Sequence, residues 1–128
     1  MEIVTQNATS LAWLGDAEFS LKVRKHLLAK GLQQPKKLQK LNAKYCSAQG
    51  QSKILSILES RGIFNEEETE ILRRGRNANV HSTAQNASLA DYMKATALEA
   101  LLGYLSLYGH VDRMNELLDL CMEIGDAL

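Results

Sequence analysis

The sequence predicts an all-α protein that forms one bundle of helices. Along most of the chain, apolar residues recur at intervals of three and four, which is the period of amphipathic helices. No segment alternates polar and apolar residues between turn residues, as a half-buried strand does. The 128 residues are 45% hydrophobic and 23% charged, which is ordinary for one globular domain. We therefore expect a single helical domain over residues 1–128.

Three helices are predicted in the first half of the chain. The first runs from about residue 8 to 29 and ends at Gly31, because glycine adopts the left-handed conformation that closes helices. The second, PKKLQKLNAKY, carries the single proline, Pro35, in its first turn, where a missing N–H costs nothing. The third covers about residues 51–61 and is stopped by Gly62.

Three further helices are predicted in the second half. Asn65 caps the segment NEEETEILRRG, whose early glutamates and late arginines both suit the helix dipole. From Gly75 to about Ser88 the chain has no periodicity, and polar loops of this length are usually functional or disordered. A long apolar helix follows over residues 89–108, and an amphipathic helix begins near Val111.

The charges are unevenly placed, although the formal net charge is zero. No acidic residue stands between Glu18 and Glu59, whereas acids dominate the segment from His110 onward. One surface should therefore be basic and another acidic, so the zero sum does not exclude a nucleic-acid partner. The basic residues of the first segment are Lys22, Arg24, Lys25, Lys30, Lys36, Lys37, Lys40, Lys44 and Lys53.

The sequence suggests a cytoplasmic protein with no membrane partner. Its opening residues, MEIVTQNATS, lack the regions of a secretory signal, and no apolar run approaches the roughly 18 residues of a membrane span. Cys46 and Cys121 lie far apart inside helical patterns, so we expect two reduced, buried thiols and neither a disulfide nor a zinc site.

Two carboxylates interrupt apolar patterns. Asp16 shares a stripe of the first helix with Phe19 and Val23, and the opposite stripe is apolar as well, so this helix is expected to be buried on both sides. Glu99 is the sole ionisable residue of the segment ATALEALLGYLSL, which is expected to be buried on nearly all sides. Burial of an unpaired carboxylate costs several kcal/mol, so each acid needs a partner.

Three interpretations of these acids are open. Asp16 is the N-cap of a helix that starts at Ala17, or Glu99 forms a buried ion pair with a lysine or arginine. Alternatively, the two carboxylates meet and bind a hard divalent cation, which removes both their repulsion and the cost of burial. Mg²⁺, which keeps several of its waters, is the natural candidate.

These residues resemble the motifs of the ribonuclease III family. LAWLGDAEF is similar to the signature in which a Leu-Gly-Asp turn carries a metal-binding aspartate, here Asp16. ALEALLGYLSL is similar to the second acidic motif, which begins at Glu99. ILRRGRNA resembles a segment of the Mini-ribonuclease III branch, which has the catalytic domain without a double-stranded RNA-binding domain. The resemblance covers nearly the whole chain.

The resemblance implies a metal-dependent endoribonuclease that cuts double-stranded RNA to 5′-phosphate and 3′-hydroxyl ends. Asp16 and Glu99 would be the catalytic metal ligands, for Mg²⁺ or Mn²⁺, in a homodimer that places two sites on one duplex. Ribosomal RNA precursor (23S) is the substrate expected for this branch. Ala12 and Thr96 stand where other members have further acids, so the alternative is a noncatalytic RNA-binding or ribosome-associated relative.

Two sets of residues are candidates for binding RNA phosphates. Lys36, Lys40 and Lys44 recur every four residues and share a helix face, although an ordinary solvated face has the same pattern. The second set is Arg73, Arg74, Arg76, Asn77 and Asn79. Helix-dipole compensation also explains Arg73 and Arg74. Arg76 and the asparagines are expected to lie beyond the helix.

Overall fold

A computed structural model describes residues 2–78 and 88–128, and within these ranges all regular secondary structure is helical. The predicted all-α class is therefore confirmed. No helix in the described ranges has the length and apolarity that crossing a membrane requires. The helices are α1 (Ala8–Ala29), α2 (Pro35–Cys46), α3 (Ala48–Ser60), α4 (Glu66–Arg76), α5 (Leu89–Leu107) and α6 (Val111–Asp126).

The helix ends follow the local signals in the sequence. The Asn7 side chain accepts a hydrogen bond from the Ser10 amide at 2.8 Å and caps α1. Asn65 and Glu68 form a reciprocal capping box at the start of α4, as the NEEE pattern indicates. Gly31 follows α1 with φ +83°, a conformation that non-glycine residues rarely adopt.

Helix α5 is the central element of the bundle and packs against α1, α3 and α4. Its residues Ala97, Leu98, Leu101 and Leu102 have no exposed surface, and Phe19 of α1 is equally buried. The prediction that this helix is buried on nearly all sides is confirmed. Burial of large apolar side chains on this scale is the main favourable term in folding.

Two predicted boundaries are wrong. Helix α3 begins at Ala48, because the Ser47 side chain accepts a hydrogen bond from the Gly50 amide at 3.0 Å and caps it earlier than expected. Helix α4 continues through Arg76, so the predicted loop 75–88 starts too early. Residues 79–87 of that loop lie outside the described residues.

The prediction that α1 is buried on both sides is wrong for a single chain. Its inner stripe is buried, but on the outer face Trp13 is 81% exposed, Leu28 58% and Leu21 49%. Asp16 is exposed as well. In one copy of the chain, no helix among the described residues covers the exposed side chains of this outer face of α1.

Candidate active site

Two glycines allow α1 and α5 to cross with their backbones in contact. A β-carbon added to Gly15 would lie 1.7 Å from the carbonyl oxygen of Glu99, and one added to Gly103 would lie 1.8 Å from the carbonyl oxygen of Leu11. Any larger residue at either position would force the helices apart. The glycines of the two sequence motifs are therefore the contact points of the crossing.

The crossing brings Asp16 and Glu99 into hydrogen-bond contact. Burial, followed by the hydrogen bond and the charge of Asp16, raises the pKa of the Glu99 carboxyl to about 9. At neutral pH the Glu99 carboxyl therefore holds a proton, through which two groups that would otherwise repel can share a hydrogen bond. The two acids predicted to meet do meet, with Glu99 half-buried and Asp16 open to solvent.

The structure rules out both alternative roles of these acids. Asp16 lies in the third turn of α1, whose cap is Asn7, so Asp16 is not an N-cap. Within residues 2–78 and 88–128, neither Asp16 nor Glu99 forms an ion pair with a lysine or arginine. The close pairing of the two carboxyls needs another explanation.

Two side chains near the acids were not identified from the sequence. Gln51 of α3 is 2% exposed, and its Nε2 donates to Oε2 of Glu99 at 3.4 Å. A signal for it existed, because Gln51 is a polar residue on the apolar stripe that continues through Leu55 and Leu58. Cys46 is half-buried rather than buried, and burial, aided by the nearby charges of Asp16 and Glu99, raises its pKa to about 11. It stays a protonated thiol and is a poor ligand or nucleophile.

The two carboxyls suit a hydrated magnesium ion. No group of three histidine, cysteine or acidic side chains that could enclose a metal occurs in the part of the chain that the structure describes. Mg²⁺ does not require such a cage, because it usually binds through one or two carboxylates and keeps several waters. A cation would also replace the proton between the two acids. Asp16 and Glu99 are therefore the side chains that could hold a metal.

The predicted lysine strip is only partly free. Lys36 and Lys40 are exposed on α2. Lys44 is half-buried; its Nζ donates to the Asp126 carbonyl oxygen at 3.3 Å and lies 5.8 Å from the centre of the Tyr45 ring. The first two lysines of the strip are thus the ones available to a polyanion.

The second predicted set is largely engaged within the chain. Arg73 pairs with Glu70 at 2.6 Å, Arg74 donates to the Gln6 carbonyl oxygen at 2.8 Å, and Arg76 pairs with Glu59 at 2.6 Å. The expectation that Arg76 lies beyond the helix is wrong, because Arg76 is its last residue, whereas Asn77 follows the helix as its C-cap. Asn79 lies outside the described residues.

Comparison with known proteins agrees with this site. The profile of the Ribonuclease III domain matches residues 9–110, which contain both acids and both crossing glycines. The chain belongs to the ribonuclease III family, and it is an endoribonuclease of that type. This family generally depends on a divalent metal and acts on double-stranded RNA.

The relatives identify the branch within the family. The chain is 45% identical to the Mini-ribonuclease 3 of Brevibacillus brevis over 94% of its own length and 89% of the relative's. It is 37% identical to that of Streptococcus pneumoniae, with 91% of each covered. A crystal structure of a Fusobacterium nucleatum protein superposes with a TM-score of 0.82, at 27% identity and with 93% of each chain covered. The predicted resemblance to the Mini-ribonuclease III branch is confirmed.

Proposed function

We propose that this chain is a metal-dependent endoribonuclease that cleaves double-stranded RNA, with Asp16 and Glu99 as metal ligands and catalytic residues. The contact between these two carboxyls at the α1–α5 crossing carries the proposal. Burial, together with the pairing with Asp16, raises the pKa of Glu99 to about 9. The two ionised carboxylates would repel each other without a cation, and a bound cation removes this cost. We propose that residues 1–128 form one catalytic domain.

The proposed reaction is hydrolysis of a phosphodiester. A water oxygen bonds to phosphorus, the bond from phosphorus to the 3′ oxygen breaks, and that oxygen takes a proton, which leaves 5′-phosphate and 3′-hydroxyl ends. Bound Mg²⁺, or Mn²⁺ in its place, supplies acidification of the attacking water and polarisation of the phosphate. Glu99 would bind the cation as a carboxylate and so release its proton to solvent. Asp16, which is exposed, would face the RNA.

A cleavage assay tests this function. A long RNA duplex and a single-stranded RNA are each incubated with the protein and Mg²⁺, with Mn²⁺, or with a chelator. We expect cleavage of the duplex only, and only with metal. Duplex binding without cleavage under any of these conditions would instead support the noncatalytic RNA-binding alternative, which the absence of acids at Ala12 and Thr96 makes worth testing.

We propose that α2 supplies the main contacts to RNA phosphates. Lys36 and Lys40 are exposed and one turn apart, and duplex RNA is bound largely through phosphates and 2′-hydroxyls. Lys44 would add to this strip. Arg73 can contribute as well, because an exposed ion pair such as Arg73–Glu70 contributes little to stability and is easily exchanged. Arg74, Arg76 and Asn77 would assist from the end of α4, and Asn79, which lies outside the described residues, stays a candidate from the sequence alone.

Loss of two lysines should weaken duplex binding in a salt-dependent way. For Lys36→Ala/Lys40→Ala, we expect the slope of log affinity against log salt to become shallower by about 2, since each lost phosphate contact accounts for about 1. The measurement is a salt titration of duplex binding in chelator. A matched control, Lys22→Ala/Lys30→Ala, removes two lysines paired with Asp119 and Asp126. Equal slopes in the two variants would contradict the proposal that Lys36 and Lys40 of α2 contact RNA phosphates.

We propose that the protein is a homodimer through the outer face of α1. Trp13, Leu21 and Leu28 lie on this face, each about half exposed or more. An isolated apolar residue on a surface is unremarkable, but an apolar stripe along a helix favours a protein interface. A two-fold interface buries the same face of both copies and would provide two sites for the two strands of a duplex.

Truncation of Trp13 should weaken this dimer. A tryptophan at the centre of an interface typically accounts for about 2 kcal/mol or more, and a two-fold dimer loses one from each copy, so Trp13→Ala should raise the dimer dissociation constant about 1,000-fold. Sedimentation over a concentration series measures it. Leu107→Ala, which truncates an exposed leucine of α5, is the control and should leave dimerisation unchanged. A parent protein that stays monomeric at micromolar concentration would contradict the proposal.

The cellular role that we propose is maturation of ribosomal RNA precursor (23S) in the cytoplasm. This rests on membership of the Mini-ribonuclease III branch, to which the curated relatives belong. Accumulation of unprocessed precursor on depletion of the protein is the expected result.

A further inference from the structure

The Gln51 amide is a buried polar group that faces the candidate active site. Gln51 is 2% exposed and lies on the inner side of α3, next to the fully buried Leu55 and Leu58. Burial of an amide among apolar side chains costs free energy unless it forms hydrogen bonds. Its Nε2 donates to Oε2 of Glu99 at 3.4 Å, so α3 reaches the carboxyl that α1 and α5 bring together.

At the two positions where other family members have further acids, Ala12 and Thr96, the side chain does not donate a hydrogen bond to Glu99. Ala12 has no polar side-chain atom, and the Thr96 hydroxyl donates to the carbonyl oxygen of Tyr92 at 3.0 Å within its own helix. Within residues 2–78 and 88–128, the side chains that form hydrogen bonds with the Glu99 carboxyl are Asp16 from α1 and Gln51 from α3. Asp16 repels the ionised form of Glu99, whereas the Gln51 N–H attracts it.

We propose that Gln51 is a positioning residue that holds the Glu99 carboxylate in the orientation in which it binds the metal. The inference rests on the proposed metal site of Asp16 and Glu99 and adds a third helix to it. A hydrogen bond to a ligating carboxylate fixes its direction and supports its charged form, and loss of such a partner typically weakens metal binding 10-fold to 100-fold. Gln51 supplies this support from outside the pair of ligands.

Gln51→Met tests the inference, because methionine has similar length and no N–H donor. We expect the dissociation constant for Mn²⁺ to rise about 10-fold to 100-fold. Calorimetry on the protein without RNA, in the oligomeric state in which it is isolated, measures this constant. The metal concentration that gives half-maximal cleavage should rise by the same factor. At saturating metal, KM for the duplex should stay unchanged, since Gln51 is buried and does not contact RNA. A purely structural role would instead lower the melting temperature without changing metal affinity.

Two further variants provide the control and a second test. Ser52→Ala removes a polar group of α3 that is 4% exposed but is turned by about 100° from Gln51, so metal affinity should not change. Gln51→Asn keeps a polar amide in the buried space but is one methylene shorter, and it should weaken metal binding as Gln51→Met does. If Gln51→Met fails to fold, Gln51→Asn decides.

Comparison with Glu99→Gln tests the proposed metal site separately from the positioning role of Gln51. If Glu99→Gln abolishes metal binding while both folded Gln51 variants bind Mn²⁺ as tightly as the parent, the positioning role is wrong and the metal site stands. If Glu99→Gln itself leaves Mn²⁺ binding unchanged, the metal site fails and the role of Gln51 fails with it.

Discussion

Glu99→Gln and Asp16→Asn should each abolish RNA cleavage while duplex binding persists. Removal of a metal ligand forfeits several kcal/mol of transition-state stabilisation, which corresponds to about a 10³-fold loss of rate. The proposed phosphate contacts lie on α2, so affinity for the duplex in chelator should be nearly that of the parent. Cleavage under single-turnover conditions and binding by titration measure the two quantities separately.

The same substitutions should not destabilise the metal-free protein. The pKa of Glu99 is about 9 in the folded chain against an ordinary value of 4.5, so the folded state binds more protons than the unfolded state between these values. The free energy of unfolding therefore falls as pH rises from about 4.5 to 9, and Glu99→Gln should lose this component. Relative to the parent, the variant should gain stability at alkaline pH.

The control for this pH dependence is Glu123→Gln, which replaces an exposed acid of α6. It should cleave RNA and follow the pH dependence of the parent. Mg²⁺ or Mn²⁺ should raise the melting temperature of the parent and of this control, but much less that of Glu99→Gln. A Glu99→Gln protein that still cleaves at the parent rate, or that melts far below the parent without metal at every pH, would overturn the assignment of Glu99.

Gly15→Ala should destabilise the fold by about 3 kcal/mol or more, which is the upper range for overpacking. The new β-carbon would meet the Glu99 backbone at 1.7 Å and the Gly103 amide nitrogen at 2.8 Å, and a backbone cannot move aside as a flexible side chain can. This cost exceeds the gain of about 1 kcal/mol that alanine brings to a helix interior. Chemical denaturation of the metal-free protein measures the difference.

Gly109→Ala is the control that separates the backbone contact at Gly15 from the general effect of replacing a glycine. Gly109 has φ +78° with open space around its α-carbon, so alanine there costs only the backbone strain of about 1–2 kcal/mol. A Gly15→Ala protein that is no less stable than Gly109→Ala would mean that α1 and α5 adjust to the larger residue. If Gly15→Ala folds but opens the crossing, it should also lose cleavage, because the two acids then separate.

The helices could be predicted from the sequence because their signals are local. Asn65 and the glutamates after it mark the start of α4, and Gly31 closes α1, whatever the rest of the chain does. The errors lay at two helix boundaries. Helix α3, capped by Ser47, begins at Ala48, about three residues before the expected start, and α4 continues past Gly75 to Arg76.

Asp16 and Glu99 could be recognised from the sequence alone, since each interrupts an apolar helical pattern and lies in a family motif. Their surroundings could not be predicted without the packing of the helices. The exposure of Asp16, the contact of Gln51 with Glu99 and the ion pair of Arg76 depend on how separate helices pack against one another. Periodicity predicts the face of a helix on which a residue lies. It does not predict whether that face packs against another helix or is exposed to solvent.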